Sequence, residues 1–310
     1  MSNMKVAYLH RKTFEESEAR FIEEAKKLGI ELVLIKYKNL SLYSQKGNWS
    51  IKYKDTDLKD FDAWYFRAVG SELEWAKLLE LYAKEHNILV VDDYLINEGP
   101  LRRFKSVMGV MLHANNINYP KTLYVAKFEQ LEKELLNWEL PVIVKLSKGG
   151  RHGMGTFSIK SITDLNELKQ TLDSRKQLAV EEGRTVSVFK DFLVQEFIPN
   201  DGDYRVMTVG YKCIGGFKRK PKEEKLVLNK SQGKSENLEH VPLEVSKVAQ
   251  DSAKILGVEV AGTDLVKHAK TGEIFVIEVN EAPQFKVFEK RTSINVPKLV
   301  LEYISDKIKE

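Results

Sequence analysis

Phe275-Val-Ile-Glu278-Val-Asn280 is an apolar run carrying two oxygen-bearing side chains two positions apart. Its β-branched and aromatic residues mark a strand. In a strand, residues i and i+2 share a face, so Glu278 and Asn280 point one way and Val279 the other. Upstream, Val258 to Val266 is a second strand-like run, with Asp264 inside it. The turn Lys270-Thr271-Gly272 between the runs favours an antiparallel hairpin. Asp264, Glu278 and Asn280 can then converge. Hard oxygen ligands of this kind suit magnesium, which fills its remaining positions with water and substrate phosphates. The competing reading is a structural carboxylate satisfied within the sheet.

Outward from this hairpin, strand-like runs lie at Leu193 to Ile198, Tyr204 to Val209 and Cys213 to Lys218, the last two separated by the turn residues Tyr211-Lys212. With helices at Leu243 to Leu256 and Val296 to Ile308, they predict a large antiparallel sheet from Phe192 onward. Before it, strands at Thr122 to Ala126, Val142 to Leu146 and Thr156 to Ile159 alternate with helices at Phe128 to Trp138 and Ile162 to Leu172. Nearer the N-terminus, Val6 to Leu9, a helix from Phe14 to Leu28 and Leu32 to Ile35 form a strand, helix, strand unit. After a polar excursion around Gly47 to Asp60 the pattern resumes with Ala63 to Phe66, a helix at Leu73 to His86 and Ile88 to Val91. A helix at Leu101 to Asn115 joins the two halves. The expected class is α/β (α+β): an open α/β domain over residues 1–100, a small lid-like central sub-domain over 101–191, and an antiparallel-sheet domain over 192–310.

Composition limits the function. The 49 Lys plus Arg and 45 Asp plus Glu leave a net charge of only +4, so neither nucleic acid nor an anionic membrane is the expected partner. A single cysteine, Cys213, excludes an intramolecular disulfide or a thiolate zinc site and fits a reducing cytoplasm. The apolar stretch near the start, Val6 to Leu9, is far too short for a signal-peptide core or a membrane span.

Between Val142 to Leu146 and Thr156 to Ile159 lies Ser147 to Gly155, with Gly149, Gly150, Gly153 and Gly155. Such a turn can bring backbone N–H groups to phosphate oxygens, and alone it can equally be a hairpin tip. It is not a P-loop, because no Gly-Lys-Ser/Thr follows and no helix opens there. Lys145, near the end of the preceding apolar strand, needs an anionic partner if it faces inward. Lys105 is a second candidate phosphate lysine. Asp203 and Arg205 alternate on one strand, where the guanidinium can serve phosphoryl transfer or form an ordinary cross-strand salt bridge.

Taken in order, these pieces resemble the ATP-grasp superfamily, in particular its RimK-like carboxylate–amine ligases, the ribosomal-protein glutamate ligase branch. The resemblance spans roughly Arg103 to the C-terminus. It rests on Pro141-Val-Ile-Val-Lys-Leu with the glycine loop, Leu193-Val-Gln-Glu-Phe-Ile, Asp203-Tyr-Arg-Val, Ala261-Gly-Thr-Asp-Leu and Phe275-Val-Ile-Glu-Val-Asn. Before Arg103 it thins to the level of the fold, apart from Phe66-Arg67-Ala-Val-Gly, which looks like the branch's substrate-side arginine segment. The resemblance implies that ATP binds between the central and C-terminal sub-domains. Lys105 and Lys145 would contact it, the glycine loop would close over the triphosphate, and Asn229 would lie near the phosphates. Glu196, Phe197 and Ile198 would hold adenine, with Asp203 near the ribose. Asp264, Glu278 and Asn280 would hold Mg2+, or Mn2+. Arg205 and Arg219 would face the transferred phosphoryl group and the acyl intermediate.

Two departures bear on the substrate. Val227-Leu228 stands where relatives carry an arginine shortly before the asparagine, leaving Lys225 or Lys230 to supply the charge. After Asn280, Glu281-Ala-Pro-Gln-Phe-Lys replaces a small glycine-containing loop, and looks closer to ligases that cross-link side chains of ribosomal peptides. The expected partners are thus a carboxylate and an amine, the latter an amino acid, peptide or protein, with a homo-oligomer compatible. Two rival readings stay open: a non-catalytic ATP-binding regulatory module of the same fold, and a nucleic-acid or acidic-protein binder using the basic segment 217–234. The acids Glu223 and Glu224 within that segment, and Glu236 just beyond it, fit a solvated flap over an anionic substrate better. No serine, cysteine or histidine nucleophile arrangement is present in the sequence.

Overall fold

The computed structural model describes residues 4–11, 15–97, 104–146, 155–182, 191–220, 234–238 and 240–310. Strand β1 (Lys5–His10), helix α1 (Glu15–Leu28) and strand β2 (Glu31–Lys36) form the expected unit, with β1 and β2 parallel. Strand β3 (Leu40–Gln45) pairs antiparallel with β4 (Asn48–Tyr53), which pairs with β5 (Thr56–Asp57), so the stretch around Gly47 to Asp60 read as a polar excursion instead holds two strands of a three-stranded sheet. Strand β3 buries only Leu40 and leaves Leu42 and Tyr43 exposed, so its apolar residues mark no single buried face. Strand β6 (Ala63–Ala68), helix α2 (Leu73–His86) and strand β7 (Leu89–Val91) complete a parallel sheet of order β2-β1-β6-β7.

Helices α3 (Tyr94–Asn97) and α4 (Lys105–Ala114) lead to a second sheet. It contains β8 (Thr122–Val125), then helix α5 (Phe128–Leu135), β9 (Val142–Leu146), β10 (Thr156–Ile159), helix α6 (Ile162–Glu181) and β11 (Phe192–Glu196). The strand order is β10-β9-β11-β8. The expectation that β11 opens the C-terminal sheet is corrected here, because it pairs with β9 and β8. The physical reason is alternation: Phe192 and Val194 enter the same apolar layer as Val142, Val144 and Leu146.

Strands β12 (Asp203–Val209), β13 (Lys212–Lys220) and β14 (Lys234–Asn237) follow, then helix α7 (Leu243–Leu256), β15 (Val260–Lys267), β16 (Ile274–Asn280), and helices α8 (Lys286–Thr292) and α9 (Val296–Lys309). They build an antiparallel sheet of order β14-β13-β12-β15-β16. Neither β14 nor α8 is legible in the sequence, since Lys234-Ser-Glu-Asn has no apolar residue and α8 spans only two turns.

Every residue of β12 is buried, because the C-terminal sheet is covered on both faces. Tyr204, Val206, Val276 and Val279 meet α7 in one core, which also takes Leu9, Trp64 and Phe66 from the N-terminal sheet. Met207, Val209 and Val260 meet α8 and α9 in another, shared with Val6, Tyr8 and Tyr65. The N-terminal and C-terminal sheets thus divide two cores between them, whereas the central sheet has its own. Trp64 shows the energetics. Its ring is wholly buried, which contributes about 3 kcal/mol, and its Nε1 donates to the Leu58 carbonyl at 3.0 Å, so no polar atom is stranded. Among the described residues, no helix is long and apolar enough to cross a membrane.

Candidate active site

A cleft of about 520 Å³ separates the central sheet from the C-terminal sheet. Tyr124, Lys145, Leu146 and Leu193 line one wall, and Glu278, Val279, Asn280, Glu281 and Ala282 the other. Phe104, Lys105 and Ser106, at the start of α4, complete the lining. Lys105, Lys145, Glu278 and Asn280, named from the sequence, are therefore brought together.

Lys145 leaves β9 on the face opposite the central sheet's apolar layer. Its ammonium donates to Gln195 Oε1, and Gln195 Nε2 donates in turn to Thr122 Oγ1 at 3.3 Å. Gln195 is paired directly with Thr122, and Lys145 stands diagonally from Gln195 on the adjacent strand, two residues along from its partner Ile143, so the contacts follow from strand pairing. Burial disfavours the charge and Lys105 adds repulsion, lowering the Lys145 pKa to about 8 against the pull of Glu278 and Asp264. A lysine so placed gains from an incoming anion.

On the opposite wall, Asp264 and Glu278 are direct cross-strand partners, and Gly262 pairs with Asn280. Asn280 Nδ2 donates to the Gly262 carbonyl at 3.2 Å, leaving its amide oxygen for another contact. Glu278 is ion-paired with Lys105. Asp264 Oδ1 accepts from Arg219 Nη2 at 2.9 Å, while Arg205 Nη1 lies 3.0 Å from Oδ2, an ion pair without hydrogen-bond alignment. Arg219 Nε also donates to Asp203 Oδ2, at 2.8 Å. Asp203, Arg205, Arg219 and Asp264 thus form one ionic cluster across three strands.

Two glycines permit this packing. A Cβ on Gly202, whose φ is +137°, would stand 2.2 Å from the Arg219 carbonyl oxygen, so the turn before Asp203 closes onto β13 only without a side chain. A Cβ on Gly262 would lie 2.7 Å from both Arg205 Nη2 and Pro283 Cβ.

The remaining candidates fall elsewhere. Glu196, Phe197 and Ile198, at and just beyond the end of β11, do not line the cleft. Glu196 accepts from the Lys121 amide at 2.7 Å, and the Phe197 amide donates to the Pro141 carbonyl at 3.3 Å. Gly155 is buried at the base of its loop, its carbonyl accepting from the Leu146 amide at 2.8 Å. Gly149, Gly150, Gly153, Asn229, Lys225 and Lys230 lie outside the described residues. Arg67 is 5% exposed and donates to the Pro283 carbonyl at 2.7 Å, with Phe285 against its guanidinium. It grips the loop after Asn280 from the N-terminal sheet. Gln195 was missed by sequence reasoning, its signal a lone amide directly after the apolar run Phe192 to Val194, and Glu281 was named only as part of the segment after Asn280, where it lies in the cleft.

The donor set fits a hard divalent cation that also takes phosphate oxygens. It offers two opposed carboxylates and one amide oxygen, and among the described residues no group of three or more His, Cys, Asp or Glu could hold a metal unaided.

Comparison with solved structures identifies the architecture as the ATP-grasp fold. The ligase PsnB complexed with a minimal precursor superposes with a TM-score of 0.71 at 17% identity, covering 98% of this chain and 99% of that one. The macrocyclase MdnC of Microcystis aeruginosa, bound with the precursor peptide MdnA, gives 0.70 at 14% identity over 98% and 100% of the two chains. In sequence, a probable alpha-L-glutamate ligase of Methanococcoides burtonii is 29% identical over 311 residues, covering 97% of this chain and 95% of the relative. The model of the RimK-like ATP-grasp domain matches residues 102–304, and the chain belongs to that family.

Proposed function

We infer that this chain is an ATP-dependent, ADP-forming ligase that activates a carboxylate as an acyl phosphate and joins it to an amine. The observation that carries this reading is the opposition of Lys145 to Glu278 and Asn280 across one cleft, with Lys105 beside Glu278 in the same lining. Lys105 and Lys145 bind the nucleotide phosphates, and the loop with Gly149, Gly150, Gly153 and Gly155 covers them together with Asn229. Glu196, Phe197 and Ile198 hold adenine, with Asp203 near the ribose. Asp264, Glu278 and Asn280 hold Mg2+ or Mn2+, which when bound draws charge from the phosphate oxygens. Three domains divide these tasks: an N-terminal one over residues 1–100, a central one that runs on through β11 to Glu196, and a C-terminal one after it.

A substrate carboxylate oxygen bonds to the γ-phosphorus as the bond to the β-phosphate oxygen breaks and ADP departs. The amine then attacks the acyl carbon, loses a proton, and expels phosphate. Arg205 and Arg219 neutralise the oxyanions formed in both steps, a preorganised electrostatic contribution. The enclosing walls keep water from the acyl phosphate.

The substrates are an amino acid and a peptide or protein. A curated relative is named as a glutamate ligase, and two structural neighbours hold precursor peptides. ADP release measured over amino acids paired with acidic peptides, with hydroxylamine added to trap the acyl phosphate as a hydroxamate, tests the reading. Substrate-dependent ADP and hydroxamate are expected. Tight nucleotide binding with no turnover on any pair would favour the regulatory module instead.

A further inference from the structure

The carboxylates proposed to hold the metal are already engaged by cations of the chain. Lys105 pairs with Glu278 across 173 residues of sequence, and both oxygens of Asp264 are met by guanidinium groups. Lys105 also repels the nearby Lys145. Around the metal position stand four cations, Lys105, Lys145, Arg205 and Arg219, and four carboxylates, Asp203, Asp264, Glu278 and Glu281.

A bare dication entering this site meets carboxylates already matched by cations of the chain, and must displace the Lys105 ammonium from Glu278. Once displaced, that ammonium has Lys145 beside it and its carboxylate partner taken. A dication arriving on a nucleotide triphosphate differs in sign, because the complex carries net negative charge. Its phosphate oxygens also give Lys105 and Lys145 new partners as Glu278 turns to the metal.

We propose that Lys105 is an electrostatic latch on the metal site, admitting a divalent cation only together with nucleotide. It thereby determines the form in which the chain accepts metal. The proposal rests on the reading of Glu278 as a metal ligand. Metal and nucleotide then bind with positive coupling, and linkage requires the effect to be reciprocal. Lys105 and Glu278 are each about one-third exposed, at 33% and 34% of their side chains, so water screens the pair and its share of the coupling is modest.

Mn2+ titration followed by electron paramagnetic resonance, with and without ADP, tests the latch on the full chain. The wild type should bind free Mn2+ weakly and bind it at least tenfold tighter with ADP, within the usual range of coupling. Lys105→Gln should tighten free Mn2+ binding roughly fivefold and shrink the ADP effect, whereas Lys105→Arg, which keeps the charge, should behave as wild type. If Lys105→Gln leaves free-metal affinity unchanged while ADP still promotes Mn2+ binding, the latch is wrong and the metal site stands. Equal tightening in Lys105→Gln and Lys105→Arg also refutes it, since charge is then not the cause. If ADP promotes no Mn2+ binding, or Glu278→Gln leaves Mn2+–ADP binding intact, the metal assignment fails and the latch with it.

Discussion

Asp264 and Glu278 face each other across an antiparallel strand pair, and the ladder takes up one extra residue immediately beyond them. Leu265 pairs with Val276, so Ile277 is the residue inserted. Such bulges increase local twist and re-aim side chains beside active sites. Here it lies at the junction between the apolar part of β16 and the pair Glu278 and Asn280.

Glu278→Gln and Asn280→Ala should each lower kcat about 100-fold or more, as expected for lost preorganised contacts in charge-separating chemistry. Stability should change by less than about 1 kcal/mol, because Glu278 is partly exposed and its ion pair is screened. Steady-state ADP release alongside urea denaturation separates the two effects, and full activity in either variant refutes the metal assignment.

Nucleotide binding should be linked to proton uptake. Lys145 titrates at about 8 without ligand, because of burial and Lys105, and phosphate must raise that value. Affinity should therefore be level below about pH 7 and decline as pH rises through the ligand-free pKa. For the ligand-free chain the sign reverses. Between about 8 and the ordinary lysine value the unfolded chain holds the extra proton, so stability rises with pH across that window. Calorimetry in buffers of different ionisation enthalpy measures the uptake near pH 8, and buffer-independent heats would count against it.

Asp92 and Glu259 tie the N-terminal sheet to the C-terminal sheet. Asp92 is fully buried, its Oδ1 accepts from the Glu259 and Val260 amides at 2.8 and 3.1 Å, and its own amide donates to Glu259 Oε2. Asp92→Ala should cost about 3 kcal/mol, because two buried donors lose their acceptor. Asp92→Asn keeps that acceptor and tolerates the positive φ of 61°, so it should cost far less. Burial and then Glu259 hold the Asp92 carboxyl well above its usual range. The folded chain consequently keeps a proton that the unfolded chain has lost, and stability falls as pH rises from the ordinary carboxyl range towards the native value. Asn at this position should flatten that slope in denaturation at several pH values.

Arg67→Met should loosen the loop after Asn280 by removing the bond to the Pro283 carbonyl. Hydrogen exchange should quicken within residues 281–285, and kcat should fall about tenfold while nucleotide affinity holds, since small misplacements near reacting groups are costly. Unchanged exchange in this loop would show that Phe285 packing alone sets its path.

Strand and helix positions near the cleft were legible because their periods are clean: β9, β10 and α7 lie where alternation and helical spacing put them. Glu278 and Asn280 could be assigned to one face from spacing alone, and Asp264 opposite them from the turn. What escaped was information held between strands. The pairing of β11 with β9 depends on which apolar layer Phe192 and Val194 enter, and Gln195 meets Lys145 only once that pairing exists. The β3–β5 hairpins escaped because apolar residues such as Leu42 and Tyr43 stand exposed there, so the pattern marks no single buried face. Arg67 could be singled out by its neighbours in sequence, but its grip on Pro283 spans 216 residues and leaves no local trace.

Lys145 stands on a sheet with its own core, while Glu278 and Lys105 belong to the body built from the other two. Whatever bridges them acts as a brace between two separately cored masses, and part of its binding energy is adhesion. Heat should then release the central sheet first, at a temperature that climbs with nucleotide concentration, while the larger body melts at a temperature set by its own packing.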